Sequence, residues 1–538
     1  MADQIMTESK PPKRRLLRRI LWWLWVILLT ALLVLGFVLA APWKVITLIA
    51  IFLIAATILP RAYRKWFWLG VGLVVLAIIA WIFLPDDNKD WKPYQFDKEL
   101  AQLQARYAVP DSENAAIIYN QILADWKQKE ANEPNLPRDW HDIAWKGPWL
   151  NKDQPEIAAY IQYHRDEIEA VLQATKIEKC SFPIVANFLD SDKKNMDATT
   201  VSAIDLARLL VIAGNNDLAE GNTNEAIEKY LAVIRMGQHF CWQPYSLYFM
   251  VGIVCEGLSL ENVDNFVVSD DANEYYLDKL EQSVSKIKYD WKSWLPGFID
   301  AEKLAFKNMA AGLFFQVNFE GKVRLTHNST AMIIRKQFNP WKADKNDVSS
   351  GYWRKKLVKA QTILIWFYSP TTPEKLGELV DSNREKYYKM ADPDFVWPEE
   401  SDYQFPNYHF TLNLRRMLNQ MNENSFCFRH DTCLDSLTKQ KGTLLIIALR
   451  RYKNANGHWP EKLEDINNFT TPDVFVDPVN NDSFGYKCTG DTFMLYSKGK
   501  NRIDDGGEYE TKFNHKLRKY ETIKDDRMIG PYKGSDCN

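Results

Sequence analysis

Residues 203–240, AIDLARLLVIAGNNDLAEGNTNEAIEKYLAVIRMGQHF, read as two helices joined by a turn at Glu220, Gly221, Asn222, Thr223 and Asn224. Working outward, residues 86–315 form a predicted helical domain, with few glycines and with apolar side chains recurring at three and four. Upstream, Asp111 and Ser112 follow Pro110 and can cap a helix whose buried face is Ala115, Ile118, Tyr119 and Ile122. Pro134, Pro137 and Pro148, with Trp140, Trp145 and Trp149, interrupt the helices. Downstream, residues 244–267 form an apolar helix, 275–288 an amphipathic one, and 291–313 another. Residues 316–427 read as an irregular and helical connection, with β-like pieces such as 322–326, a helix at 354–368 and a proline-rich acidic loop at 392–406. The fold class expected is mainly α, with a small α+β module at 428–510 and a polar tail at 511–538.

Three apolar runs precede all of this, at residues 20–41, 45–59 and 66–84, and none carries a charged side chain. A helix needs roughly 20 apolar residues to cross about 30 Å of hydrocarbon, which the first and third supply. The second, with Trp43 and Lys44 at its start, is short enough to span or to re-enter. Lys10, Lys13, Arg14, Arg15, Arg18 and Arg19 in the 1–19 tail, with Arg61, Arg64 and Lys65, favour the cytoplasmic side. Three crossings then place residues 86–538 outside the cytoplasm, in the inner membrane of a cell envelope. A re-entrant second run would return them to the cytoplasm.

Residues 86–538 carry 57 basic against 67 acidic side chains, a formal charge of −10. No basic stripe runs along them, so nucleic acid is not an expected partner. The seven cysteines all lie in this part, too sparse for a disulfide scaffold, and Cys427 can reach Cys433 only if the chain turns between them. No GxSxG, HExxH, Walker or GxGxxG arrangement is present. His141 stands beside Asp142 among eight scattered histidines, and Asp392, Asp394, Glu399 and Glu400 sit in the proline-rich loop.

The 203–240 hairpin resembles a tetratricopeptide unit. Gly214, Ala226, Tyr230 and Val233 stand at that family's spacing of glycine, small residue, aromatic and small residue; Asp217 and Gln238 depart from it. The same spacing also arises in an ordinary antiparallel pair. After about residue 428 a long helix ends at Asn456 and Gly457. There follow His458, Trp459 and Pro460, then Leu463 and Ile466, Asp477 and Pro478, a strand at 484–488, a turn at Gly490 and Asp491, a strand at 493–496 and a Gly/Asp loop. This order resembles the globular domain of the major pseudopilin of type II secretion, although three apolar runs and the position at the far end depart from that family. The resemblance implies calcium in the final loop, held by Ser497, Asn501, Asp504 and Asp505. Calcium takes 6 to 8 oxygens, which such a loop can offer; an acidic turn ended by Gly506 and Gly507 is the alternative. Together these features are similar to bacterial envelope proteins, and imply a membrane-anchored, extracytoplasmic binding or scaffold protein working with envelope or secretion components. The alternatives are a part of a secretion apparatus, or an envelope hydrolase whose site is assembled from distant residues.

Overall fold

The computed structural model describes residues 69, 70, 72, 73, 91–129, 132–137, 140–145, 147–186, 191–325, 372–381, 414–514 and 519–531. Of the three apolar runs only Leu69, Gly70, Gly72 and Leu73 fall within these residues, and they are helical and exposed. Among the described residues no helix is long and apolar enough to cross a membrane. The expected helix at 354–368 and the loop at 392–406 lie outside the described residues.

The chain forms two compact units, the first of residues 1–95, 309–380 and 406–418. Its described part is a three-stranded antiparallel sheet of β1 (Trp91–Pro93), β2 (Phe315–Asn318) and β3 (Val323–Leu325), with β2 central. The β2–β3 turn passes through Gly321 at a φ of 77°, a value that glycine adopts without strain.

The second unit comprises residues 96–308, 381–405 and 419–538. It is mainly helical. Its first part holds α1 (Asp97–Tyr107), α2 (Ala115–Lys129), α3 (Trp140–Ala144), α4 (Pro155–Tyr163) and α5 (Arg165–Ala174). These are followed by α6 (Ser191–Ala219), α7 (Thr223–Cys241), α8 (Ser246–Val268), α9 (Glu274–Val284) and α10 (Trp291–Phe314). The cap of α2 differs from the expected one. Asp111 and Ser112 form a short 3-10 turn, and the side chain of Asn114 accepts from the Ala116 amide at 3.1 Å instead. That same oxygen accepts from Ser181 N at 2.9 Å, so a tertiary bond moved the start of the helix.

The α6–α7 hairpin turns where expected, with Gly221 at a φ of 84°. Its helices approach closely at Gly214, where a Cβ would lie 2.7 Å from the Tyr230 ring. The Tyr230 hydroxyl donates to Asn215 at 2.5 Å, and Asn215 in turn donates to the Ala144 carbonyl at 2.9 Å. The next crossing is as tight: a Cβ on Gly252 of α8 would lie 2.5 Å from the Gly237 carbonyl of α7.

Helices α7 and α8 are covered on two sides. Val233, Met236 and Phe240 pack with α2, α5 and α6, whereas Ala226, Tyr230, Leu231, Val263 and Phe266 pack with α9 and the C-terminal segment. A helix apolar around its whole circumference has to be buried in this way.

After a short α11 (Pro373–Asp381), the C-terminal segment begins with α12 (Leu414–Asn456), which starts earlier than residue 428 because no glycine or proline interrupts it there. Its unbroken run holds the Cα atoms of residues 427 and 433 too far apart for a bridge. It stops at Gly457, at a φ of 83°. Leu445, Ile446 and Leu449 of α12, with Trp459, Ile466, Phe493 and Leu495, join the same core as Phe266 and Leu280. The helical domain and the α+β module therefore share one apolar interior.

After the short pair β4 (Val476–Asp477) and β5 (Asp482–Ser483), the sheet of the module has the order β10-β7-β6, from β6 (Gly485–Cys488), β7 (Phe493–Ser497) and β10 (Arg527–Gly530). The segment read as a polar tail after residue 510 supplies β10 and a hairpin of β8 (Tyr509–Asn514) and β9 (Lys519–Asp525). Among the described residues after 510 the buried large apolar side chain is Ile529, which fits against Gly442 of α12, where any Cβ would collide with it.

Candidate functional site: a cleft with aromatic walls

A cleft of about 560 Å³ opens in the second unit, where the ends of several helices meet. Arg106 and Tyr107 come from the end of α1, Cys180 and Ser181 from the extended run after α5, Trp242 from the residue after α7, Lys288 and Asp290 from the α9–α10 connection, and Trp294 and Phe298 from α10.

Hydrogen bonds fix the extended run that forms its floor. Ser181 Oγ donates to the Tyr107 carbonyl at 2.6 Å, Gln243 Nε2 donates to the Cys180 carbonyl at 2.9 Å, and the Ala115 amide donates to the Lys179 carbonyl at 2.9 Å. Gly297 lies directly under the Tyr107 hydroxyl, where a Cβ would overlap it. Burial pushes the Cys180 thiol well up, so it stays protonated and is a wall of the cleft rather than a nucleophile.

The charges around the cleft are unequal in their freedom. Arg106 pairs with Asp300 at 2.7 Å and Lys179 with Glu113 at 2.6 Å. The Asp290 carboxylate accepts from the Ser293 amide at 3.2 Å and so caps α10. Lys288 is exposed, and its ammonium has no ion-pair partner among the described residues. Its backbone is nonetheless held, because Lys288 N donates to Gln238 Oε1 at 3.2 Å. Gln238 Nε2 and the Tyr289 hydroxyl both donate to Glu256, a fully buried carboxyl of α8. Burial pushes the Glu256 pKa up to about 7, against the pull of these donors and of the Cys241 thiol.

Beneath Phe298 lies a second buried charge. The Arg429 guanidinium stacks over that ring at 4.3 Å and pairs with Glu302, which also accepts from the Ser246 amide at 3.1 Å.

The described histidines that are buried have structural partners. His239 Nε2 donates to the Ile177 carbonyl at 2.9 Å and its Nδ1 accepts from the Tyr119 hydroxyl at 3.0 Å; burial lowers its pKa to about 4, so the ring is neutral. His164 sits 2.7 Å from Glu133 and stacks on Trp126. His141 and Asp142 lie on α3, but their side chains fall outside the described residues, as do Asp392, Asp394, Glu399 and Glu400.

In the C-terminal loop the four expected calcium ligands are each hydrogen-bonded within the protein. Ser497 is buried and donates to Asp477 Oδ2 at 2.5 Å. Asn501 Oδ1 accepts from its own turn, at Ile503 N, at 2.8 Å. Asp504 accepts from the Tyr496 hydroxyl at 2.8 Å and Asp505 from the Asp525 amide at 3.1 Å. Each of the four thus has a hydrogen-bond partner within the protein, and among the described residues no group of three or more His, Cys, Asp or Glu side chains stands close enough to hold a metal. Ser497 instead serves Asp477, which also accepts from Thr438 at 2.8 Å, Val479 N at 3.0 Å and Asn480 at 2.9 Å. The Asp477-Pro478 pair is thus a hydrogen-bonded hub tying the β-module to α12. Asp526, which the sequence did not single out, is the buried carboxylate of this loop. It accepts from Gly507 N at 2.8 Å, its Oδ1 has no hydrogen-bond partner, and burial raises its pKa, with Asp505 and Asp504 adding to the rise.

Comparison with protein families, curated proteins and solved structures finds no match to this chain.

Proposed function

We propose that this chain is a membrane-anchored binding or scaffold protein of the cell envelope, and that its outer part engages a partner or ligand through the cleft around Trp242. The observation that carries the reading is the cleft itself. Exposed and half-buried aromatic rings line it, Lys288 stands at it without a counter-charge among the described residues, and Cys180 is held protonated. Concave sites with apolar walls and few placed polar groups are typical of binding. The apolar runs at 20–41, 45–59 and 66–84 support the anchor, and the basic residues flanking them support an extracytoplasmic outer part.

A photoreactive benzoylphenylalanine at position 242, irradiated in intact membranes, should give a crosslinked adduct. The same residue at position 275, where Tyr275 is 63% exposed, should give none. Equal crosslinking from both positions, or from neither, would remove the reading. The location is tested separately with Tyr275→Cys, because four of the native cysteines, Cys180, Cys241, Cys255 and Cys433, are buried. A membrane-impermeant maleimide should label position 275 above the native background without breaching the inner membrane.

A second reading, a component of a secretion apparatus, is favoured by the order of α12, the Trp459 turn, the Asp477 hub and the β6–β7 hairpin. Recovery of secretion proteins in the adduct from position 242 would select it. Calcium at the 497–507 loop is a separate proposal, resting on the mutual repulsion of Asp504, Asp505 and Asp526. An ion bound by a rearranged loop should raise Tm by several degrees in millimolar calcium over EDTA, since binding only the folded state stabilises it. An unchanged Tm removes calcium from the account.

A further inference from the structure

We infer that the cleft takes an apolar carboxylate, an organic monoanion whose aromatic or branched body lies against Trp242 and Trp294 while its carboxylate pairs with Lys288. The inference rests on the binding reading above and names the chemistry of what is bound.

Trp242 is 48% exposed although it follows a helix whose last turn is buried, so a large apolar surface faces the cleft uncovered. Trp294 continues that wall, and behind it Phe249 meets both Trp294 and Phe298 edge-on at 6.2 and 5.8 Å. Trp294 and Phe298 are therefore held by the core, and a ligand body lying on Trp294 costs little in ordering it. Burying one aromatic face against them is worth on the order of the 25 cal/mol per Å² that apolar contact brings.

The charge pattern selects the head group. Arg106 and Lys179 are each engaged by a carboxylate, and Asp290 caps the start of α10, which leaves Lys288, among the described residues lining the cleft, as the cation still able to take a partner. One ammonium matches one carboxylate. A phosphate dianion would require a second free cation, and an amine would be repelled by Lys288. The Lys288 backbone is pinned through Gln238 to Glu256, so the ammonium is presented from an anchored loop. The volume, about 560 Å³, lies within the 300 to 1,000 Å³ of small-ligand sites and accommodates one aromatic or branched side chain with its carboxylate and neighbouring amide.

The chemistry is common to a small aromatic acid and to the C-terminal residue of a peptide. The full chain in lipid nanodiscs, with empty nanodiscs as blank, would be titrated calorimetrically with 3-phenylpropionate and with N-acetylglycylphenylalanine, each as free acid and as primary amide. The free acid of at least one should bind tenfold or more tightly than its amide, and the tighter of the two acids identifies the source. Lys288→Gln, at an exposed position, should erase the difference between acid and amide. Trp242→Ala should weaken acid and amide alike, by about tenfold. Amides binding as tightly as acids, or a preference that survives Lys288→Gln, would overturn the carboxylate assignment while leaving the cleft a binding site. Absence of binding by every probe would overturn the inference, and joined to absence of an adduct from position 242 it would overturn the binding reading too.

Discussion

Arg429→Met should destabilise the protein by about 3–5 kcal/mol, because it strands Glu302 as an uncompensated buried charge. Both partners are almost wholly inside: the side chains of Arg429 and Glu302 retain 1% and 6% of their exposure. The pair joins α10 to α12 across 127 residues of chain, and its guanidinium also covers the Phe298 ring of the cleft. With the cation gone, the Ser246 amide and hydroxyl remain on Glu302, and neither carries a charge. The double variant Arg429→Met with Glu302→Met should recover a large part of the loss, since replacing a buried ion pair by apolar side chains is often close to neutral. Chemical denaturation of the four proteins in nanodiscs measures the coupling. Additive effects of the two single substitutions would mean that the pair contributes no specific stability.

Glu256 should make stability depend on pH in the opposite direction to an ordinary surface carboxylate. Its folded pKa, about 7, lies above its usual 4.5, so the native state favours the protonated form. The stability this contributes is complete below about pH 4.5 and is lost as pH rises through about 7. The difference corresponds to roughly 3 kcal/mol. The groups facing it are Gln238 and Cys241 from α7, Tyr289 from the cleft loop and Cys433 from α12, and both neighbouring thiols are held protonated by burial. Glu256→Gln keeps the size and removes the titration. The wild-type Tm should therefore fall relative to that of the variant as pH rises from about 4.5 to about 7, the gap widening across that window and staying constant above it. Parallel curves across that window would show that Glu256 does not titrate there. Because Gln238 and Tyr289 both donate to this carboxyl, loosening at high pH should reach Lys288 and weaken the cleft as well.

Much of the local structure was legible in the sequence. The turn at Gly221, the face of Ala115, Tyr119 and Ile122, the stop at Gly457 and the hairpin at Gly490 each follow from rules acting over a few residues. The close contact of Gly214 with Tyr230 joins two different helices and depends on how they pack. What was not legible required partners far away in the chain. Asp504 and Asp505 entered as calcium ligands through the pseudopilin resemblance, yet Ser497 of the same set hydrogen-bonds Asp477, a hub visible only once Thr438 of α12 stands beside it. The strands after residue 510 have few apolar residues, and β10 becomes a strand because β7 offers it an edge.

The sequence by itself determined that most of this chain is helical and where the glycine turns and stops at Gly221 and Gly457 fall, because periodicity, glycine turns and prolines act through the backbone over one or two turns. It also determined the apolar runs at the N-terminus, which depend on composition alone. The tertiary structure decided that the C-terminal segment shares its core with α7, α8 and α9, and that Arg429, Glu302, Glu256 and Asp264 are buried. It also decided that Trp242 and Lys288 line one cleft. Charged side chains in a sequence read as solvated, since burying them is unfavourable unless a partner neutralises or hydrogen-bonds them. Those partners stand on other helices, and folding alone brings them within reach.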